Sequence, residues 1–345
     1  MSGCSRTEAD GRKRTGRPSI PPAFEAYGDE ALPQAPAAGP GKSGVLEATL
    51  AREGSGDEGG ETRLTYDHVK VPYHLTGTLA TDPVPGLTTL VAQEPTGGAA
   101  QGDRHRIEID ARSGARAHVT TQGATKVHSM KANYAHLDAD LRAGSGAYLE
   151  YLPGPTILNE DSRCLQTLSV ELADDAVVIV GDVLVPDGLS DHEAFGFDHY
   201  QTRVEARHDG RLVCADTVDL RPAQREPRDP ASVGEYEVVG TLYVFAPGEP
   251  VDDVADRIHD RLEAVESSGS AETTGESDEG RERDEQAQAK AQGIHAGVST
   301  LAYDAGVVVR VLGTREADVT SAIREAWDET RRTTLGVGAP ADRRY

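Results

Sequence analysis

The sequence is poor in lysine and in large apolar side chains. Only six of its 35 basic residues are lysine, and its 345 residues include four Phe, one Trp and two Met. Acidic residues number 58, which gives a net charge of −23. An acidic, lysine-poor surface with few bulky side chains is typical of proteins that work in high salt, where screening suppresses self-repulsion. We therefore expect a halophilic source and no nucleic-acid partner, because phosphate binding requires a basic face.

Cysteine and long hydrophobic segments are also scarce. The three cysteines lie far apart and form no C-x-x-C pair, so they provide neither a disulfide framework nor a structural zinc site. The basic residues near the N-terminus are not followed by the apolar stretch of a secretory signal. The apolar runs at 176–180 and 306–313 have the length of a strand and are too short to span a bilayer. These absences predict a cytoplasmic protein without a membrane partner.

Familiar catalytic and nucleotide-binding motifs are absent as well. The chain has no G-x-x-x-x-G-K-[ST] phosphate loop, no G-x-G-x-x-G turn from strand to helix, and no G-x-S-x-G nucleophile turn. His192 and Glu193 begin an H-E pair, but glycine at position 196 stands where zinc-dependent proteases need their second histidine. Catalytic machinery is therefore not legible from these motifs, and no stably bound cofactor is predicted.

Composition divides the chain into one folded body and two low-complexity segments. Residues 1–62 and 267–292 are rich in small and polar residues and lack a sustained apolar period. This predicts a disordered N-terminal extension and a disordered acidic insertion. The folded domain then extends over residues 63–337, and residues 338–345 form a C-terminal tail.

Most of the body alternates between apolar and polar residues with the period of a β-strand. Residues 134–142 place alanine and leucine on one side and tyrosine, histidine and charged residues on the other, as in a half-buried strand. Residues 201–220 form two such arms joined at Asp209 and Gly210, a dipeptide that accepts the positive φ of a tight hairpin turn. These patterns predict a mainly β protein.

Two segments in the C-terminal third have helical periodicity instead. Residues 251–265 carry an apolar stripe with two aspartates in the first turn, and residues 316–335 carry a stripe that includes Trp327. Gly336 follows the second stripe, where a helix commonly ends. We therefore expect two α-helices in this third of the chain, with Trp327 in the core.

Three blocks of the sequence, taken in order, resemble one protein family. They are a GG-x-x-x-GD turn followed by a TTQ-x-ATK strand within residues 95–128, an LE-x-LP-x-P-x-IL segment within 148–162, and an RVLG strand followed by a helix with an arginine pair within 307–336. They are similar to the urease accessory protein UreD family, called UreH in some organisms, and the likeness covers about residues 64–337. The family's GR-x-x-x-GE-x-F segment is altered here to DGLSDHEAF, residues 187–195, which lacks the arginine.

The resemblance implies a stacked-strand, β-helical body with two α-helices near the C-terminus. It also implies a non-enzymatic role as an accessory protein, or chaperone, in urease maturation. Members of the family bind UreF and, through it, the GTPase UreG, and together they act on the urease apoprotein so that its nickel centre is assembled. Ni²⁺ would then be a transient cargo, and the missing phosphate loop agrees with GTP hydrolysis by a partner chain.

Three residues are candidates for contact with nickel. If Leu149 faces the core, Glu150 faces the opposite side of its strand, toward solvent or an internal water-filled passage. Two interpretations of Glu150 stay open: a solvated glutamate, or a lining group on a route for Ni²⁺, where oxygen ligands hold a borderline divalent ion loosely. His192 and Glu193 form an exposed pair that is a further candidate for transient metal contact.

Five more polar residues in the matching blocks are candidates for a passage or a partner contact. Thr120, Thr121 and Lys126 would line the passage or meet a partner, although hydroxyl ladders in sheets are commonly structural. Arg331 and Arg332 would form either a solvated helix end or part of a UreF contact.

Two other functions stay open from the residues alone. A β-helical carbohydrate-active enzyme needs two carboxylates a few ångströms apart, and Asp138 and Asp140 lie on one side of a strand, about 7 Å apart by strand rise. Only five residues are Phe or Trp, which counts against a sugar-stacking platform. The other possibility is a binding module that never contacts metal.

Overall fold

Stacked β-strands are the main regular structure of the protein. The computed structural model describes residues 18–32, 41–54, 60–186, 194–271 and 293–341. Its strands are β1 (Ser43–Glu53), β2 (Glu61–Lys70), β3 (His74–Leu79), β4 (Leu87–Gln93), β5 (Arg104–Ala111), β6 (Arg116–Thr121), β7 (Thr125–Val127), β8 (Ala135–Ala143), β9 (Tyr148–Leu152), β10 (Thr156–Leu158), β11 (Arg163–Leu172), β12 (Val177–Pro186), β13 (His199–His208), β14 (Arg211–Leu220), β15 (Val238–Phe245), β16 (His295–Thr300) and β17 (Gly306–Gly313). Its helices are α1 (Pro22–Gly28), α2 (Val251–Ala271) and α3 (Glu316–Leu335), with a 3₁₀ turn at Ala302–Asp304. The predicted mainly β class is confirmed.

The strands lie in two sheets, and the chain passes back and forth between them. The first sheet has seven strands in the order β14-β13-β11-β8-β5-β1-β2. The second has ten, with the main order β16-β17-β15-β12-β9-β6-β4-β3 and with the short β10 between β12 and β7. In the first sheet β5, β8, β11 and β13 run parallel, and in the second β4, β6, β9 and β12 do so. Each coil of the solenoid therefore consists of one strand from each sheet, such as β5 and β6. This confirms the predicted β-helical body.

Alternation along each strand sends one side of it into the space between the sheets. In β5 the residues His105, Ile107 and Ile109 are buried, and their neighbours are half-buried. Branched and small aliphatic side chains from both sheets, such as Leu46 and Leu141, fill this space. Each fully buried leucine or isoleucine contributes about 1.5–3 kcal/mol, so aliphatic residues alone can hold the coils together.

Tight turns connect the two sheets along one side of the solenoid. Gly114 and Gly146 adopt φ values of 71° and 66°, which residues with a Cβ rarely adopt. The turns are stacked by hydrogen bonds, because Gly114 N donates to Ser145 O and Gly146 N donates to Asp175 Oδ1, each at 2.8 Å. Hydrogen bonds between successive turns therefore keep the coils aligned along this side.

The two predicted C-terminal helices are confirmed, and both cover the outer face of the second sheet. Ile258 of α2 and Val319 and Trp327 of α3 pack with outward residues of β12, β15 and β17 in one buried cluster. Gly240 of β15 permits this close approach, because a Cβ there would lie 2.6 Å from Val319 Cγ1. α3 ends at Gly336, whose φ is 70°.

The predicted disorder over residues 1–62 is wrong in two places. β1 is an inner strand of the first sheet, paired with β2 and β5. Its alternating run was overlooked because it lies within a glycine-rich stretch that dilutes the composition. α1 is fixed by Phe24, whose fully buried ring packs on Tyr134 and Leu165. The predicted acidic insertion also begins late, since α2 continues to Ala271; residues 272–292 lie outside the described residues.

None of the described helices is both long enough and apolar enough to cross a membrane.

Candidate functional site: an anchored helix and a polar cavity between the sheets

Glu150 lies in a closed charge cluster beneath α3. Leu149 faces the core between the sheets, so the predicted alternation is right. The prediction that Glu150 faces solvent or a passage is wrong, because α3 covers that face and leaves Glu150 fully buried. Its carboxylate accepts hydrogen bonds from Trp327 Nε1 at 2.9 Å and Arg331 Nη1 at 3.3 Å, and it contacts His118 Nδ1 at 2.9 Å.

Arg331 is the central cation of this cluster. Its guanidinium is fully buried and donates to both oxygens of Asp82, at 2.6 and 3.1 Å, as well as to Glu150. Burial opposes the charge, but the carboxylates of Glu150 and Asp82 outweigh it and raise the pKa of Arg331. Arg331 is therefore neither a solvated helix end nor a surface contact, and that prediction is wrong. It anchors α3 to the second sheet.

The other predicted partner or passage residues lie apart from one another. Thr120 Oγ1 donates to Leu152 O at 2.7 Å, which ties β6 to β9. Thr121 lies on the opposite side of β6 and borders a cavity between the sheets. Lys126 is exposed, and Arg332 is an exposed residue that pairs with Asp328 of its own helix at 2.7 Å.

The predicted metal-contacting pair His192 and Glu193 lies outside the described residues.

The space between the sheets contains two adjoining cavities. The outer cavity has a volume of about 250 Å³, and its rim includes Glu94, Thr121 and Gln122. The inner cavity has a volume of about 100 Å³ and extends between the sheets toward β14 and β17. The two share a wall that includes Tyr151 and Gln166. Each volume is several times the roughly 10–15 Å³ that one water needs, so both cavities can hold water.

A carboxylate, Asp182 of β12, faces the inner cavity. Val178 and Val180 of the same strand side pack in the core between the sheets, so alternation places Asp182 on the inner face as well. Protein surrounds Asp182, yet the residue retains some accessible surface. The inner cavity accounts for this surface, because Asp182 is one of its lining residues. Across the gap, Tyr200 donates to Gln166 Oε1 and lies 3.5 Å from Asp182 Oδ2. The cavity therefore presents oxygen atoms from both sheets.

Burial tunes the acidity of this carboxylate. It raises the pKa of Asp182 to about 6, while the Tyr200 hydroxyl and the positive charge of Arg310 act in the lowering direction. Among the described residues, no basic nitrogen lies within salt-bridge distance of Asp182. A cation that reached the cavity near neutral pH would find an ionised, unpaired carboxylate.

Sequence reasoning missed Asp182 and its neighbours, although a signal was present. Asp182 is the one charged residue in the strand VVIVGDVLVP, residues 177–186. A single carboxylate on the inner side of an otherwise apolar strand is costly unless a cavity or a partner receives it. Tyr200 and Gln166 gave no comparable signal, because isolated polar residues are common in alternating strands.

The carboxylate pair of the carbohydrate-enzyme alternative has structural partners. Asp138 and Asp140 lie on the side of β8 opposite the core residues Ala139 and Leu141. Asp138 accepts a hydrogen bond from a threonine of β11 at 2.7 Å. Asp140 lies 3.3 Å from Arg142 of its own strand.

Fold and site together define a β-solenoid protein with a polar internal cavity and a C-terminal helix locked to one sheet. A sequence model described as UreD urease accessory protein matches residues 43–344. The chain is 60% identical over 327 residues to a urease accessory protein UreD of Natronomonas pharaonis, covering 95% of this chain and 99% of the relative. It is 54% identical over 321 residues to that of Haloquadratum walsbyi, with 93% and 95% covered. A UreD 2 of Streptomyces griseus is 31% identical over 308 residues, with 87% and 93% covered.

The chain therefore belongs to the UreD family of urease accessory proteins. This confirms the resemblance that the three sequence blocks indicated. The family match begins at residue 43, so α1 precedes the matched region. Several relatives come from halophilic archaea, in line with the acidic composition.

Proposed function

We propose that this protein acts in urease maturation as a non-enzymatic scaffold, together with UreF and UreG, for the insertion of nickel into the urease apoprotein. The proposal rests first on family membership. A rigid scaffold suits the structure, because the buried Arg331 cluster holds α3 to the second sheet. Removing one member of such a pair costs about 3–5 kcal/mol, so this helix keeps a fixed position.

We further propose that the cavities between the sheets carry Ni²⁺, with Asp182 as the central contact. The single observation that supports this is the position of Asp182. Its carboxylate is enclosed by protein, has no ion-pair partner among the described residues, and borders a cavity that can hold water. Ni²⁺ is the cargo of the protein here. The groups around it would be the Asp182 carboxylate, the Gln166 amide oxygen and the Tyr200 hydroxyl, all oxygen donors.

The choice of donors favours movement over storage. Oxygen donors bind a borderline divalent ion less tightly than thiolate or several imidazoles do, and conduction requires sites that release what they bind. The buried thiol Cys164 has its pKa raised far above the ordinary value, by burial first and by Asp182 second. It stays protonated, and a protonated thiol is a poor ligand that does not trap the ion.

The outer cavity provides the access side of this route. Gln122 and Gly123 at its rim are exposed, and Thr121 and Thr125 continue inward from them. Burial raises the pKa of Glu94 on this rim, although Lys42 opposes the shift. The row of polar groups thus runs from solvent to Asp182 without crossing the aliphatic core.

A complementation experiment tests the function. Cells that carry the urease genes but lack this chain receive the wild type, Asp182→Asn or the surface control Asp256→Asn. Asp256 is exposed on α2, and aspartate and asparagine have similar helix propensities. We expect the wild type and Asp256→Asn to restore urease nickel content. With Asp182→Asn the nickel content should fall well below them, while that variant still co-purifies with UreF.

The outcomes separate the two parts of the proposal. Full nickel loading of urease in cells without this chain would overturn the scaffold role. Full loading with Asp182→Asn, at equal protein levels, would overturn the passage and leave a binding module that never contacts metal.

A further inference from the structure

Three side chains connect the two sheets at the β14–β17 end of the inner cavity. Arg310 of β17 forms an ion pair with Asp216 of β14, and Tyr243 of β15 donates its hydroxyl to Asp216 Oδ2 at 2.6 Å. β14 is the edge strand of the first sheet, whereas β15 and β17 belong to the second. The contact therefore spans the gap between the sheets where the solenoid ends.

This contact lies at the boundary of the cavity. Arg310 and Tyr243 both line the inner cavity. The Arg310 and Asp216 side chains are 35% and 27% exposed, so solvent also reaches the ion pair. An ion that left the inner cavity in this direction would have to pass between these residues.

Arg310 also belongs to the same row of side chains as Asp182. Asp182 is opposite Thr241 in the β12–β15 pairing, and Thr241 is opposite Arg310 in the β15–β17 pairing. Neighbouring strands are about 4.8 Å apart, so the Asp182 and Arg310 backbones are roughly 10 Å apart. All three residues line the inner cavity. Arg310 thus stands between a carboxylate inside and a carboxylate at the rim.

We propose that Arg310 is the resident counter-cation of the passage: it closes the β14–β17 end and is displaced from Asp216 by the divalent ion that leaves. This inference rests on the proposed passage of Ni²⁺. A guanidinium does not deprotonate in proteins. Arg310 therefore keeps its positive charge when the divalent ion arrives, and its side chain has to move away. A divalent ion at Asp182 repels it toward solvent, and its long side chain allows the swing.

Tyr243 keeps the exit carboxylate in place during this exchange. Its hydroxyl donates to the same Asp216 oxygen that Arg310 contacts. Burial raises the pKa of Tyr243 far above its ordinary value, so the phenol keeps its proton and remains a donor. When the guanidinium leaves, Asp216 is still oriented toward the gap and can receive the departing ion.

Equilibrium dialysis of the full chain against Ni²⁺ tests this role. Arg310→Met keeps the length of the side chain and removes its charge, so two carboxylates would face the passage without a counter-cation. We expect its affinity for Ni²⁺ to rise about tenfold over the wild type, and Arg310→Lys, which retains the charge, to stay within about twofold. Adding Asp182→Asn to Arg310→Met should cancel most of the gain.

A second variant covers the case in which Arg310→Met does not fold. Asp216→Asn releases the guanidinium from the rim and lets it turn toward Asp182, so Ni²⁺ affinity should fall several-fold. Circular dichroism checks that each variant is folded.

The results also distinguish this inference from the proposed function. If Asp182→Asn lowers Ni²⁺ affinity but Arg310→Met and Asp216→Asn leave it unchanged, the counter-cation role is wrong and the passage stands. If Asp182→Asn has no effect either, the passage itself is wrong.

Discussion

Asp182 should cost the protein stability at neutral pH, and its removal should restore that stability. The folded protein holds the pKa of Asp182 at about 6 instead of the ordinary 3.8. A shift of about two pKa units corresponds to about 3 kcal/mol. The conservative change Asp182→Asn keeps the size of the side chain and removes its titration.

The sign follows from proton uptake. Between pH 4 and pH 6 the folded state holds a proton on Asp182 that the unfolded chain has already lost, so the stability of the wild type falls as pH rises through this window. Above about pH 6 the cost is fully present. Asp182→Asn should therefore match the wild type near pH 4 and exceed its free energy of unfolding by up to about 3 kcal/mol at pH 8.

Denaturant unfolding followed by circular dichroism, at several pH values from 4 to 8, measures this difference. Salt on the order of 1 M limits surface electrostatics to about 3 Å, so the buried group dominates the comparison. The surface variant Asp256→Asn is the control and should show no such pH dependence. This prediction is contradicted if Asp182→Asn has a lower free energy of unfolding than the wild type at pH 8. It is also contradicted if the difference between the two free energies is the same at every pH.

Three further predictions concern the anchors of the fold. Arg331→Met leaves Asp82 and Glu150 buried without a counter-charge and should lower the free energy of unfolding by about 3–5 kcal/mol, whereas the exposed Arg332→Met control should change little; denaturant unfolding of both variants decides. Phe24→Ala should release α1, so that limited proteolysis cuts near Phe24 sooner while the rest of the chain resists; an unchanged cleavage pattern would show that α1 is held otherwise. Burial lowers the pKa of His105 to about 4, so the wild type should lose stability as pH falls from 6.5 toward 4. His105→Gln should lose less over that range, and identical pH profiles would contradict it.

Local periodicity was sufficient to predict the strands and the two C-terminal helices. The apolar stripes of α2 and α3 and the alternation in β8 and β13 each have a period that belongs to one type of element. β1 was missed although it alternates over eleven residues, because glycine-rich sequence on both sides of it dominates the local composition. α1 was missed because a seven-residue helix held by one phenylalanine has no detectable period.

The candidate site depended on contacts that local sequence does not contain. Alternation placed Glu150 opposite Leu149 correctly, but it could not show that α3 covers that face. Arg331 and its partner Asp82 are 249 residues apart, and an arginine near a helix end also suits the helix dipole. Its burial therefore had no local signature. Alternation along β12 was a local signal for the inward position of Asp182 that the sequence prediction did not use, and the cavity that accommodates this side chain required the structure.

The most direct test of the central claim is to locate nickel in the protein itself. Crystals equilibrated with Ni²⁺ and measured at the nickel absorption edge would show where the ion binds through its anomalous scattering. We predict a peak in the inner cavity beside Asp182 that disappears in Asp182→Asn. Nickel found solely on the outer surface, or a cavity peak that persists in the variant, would contradict it.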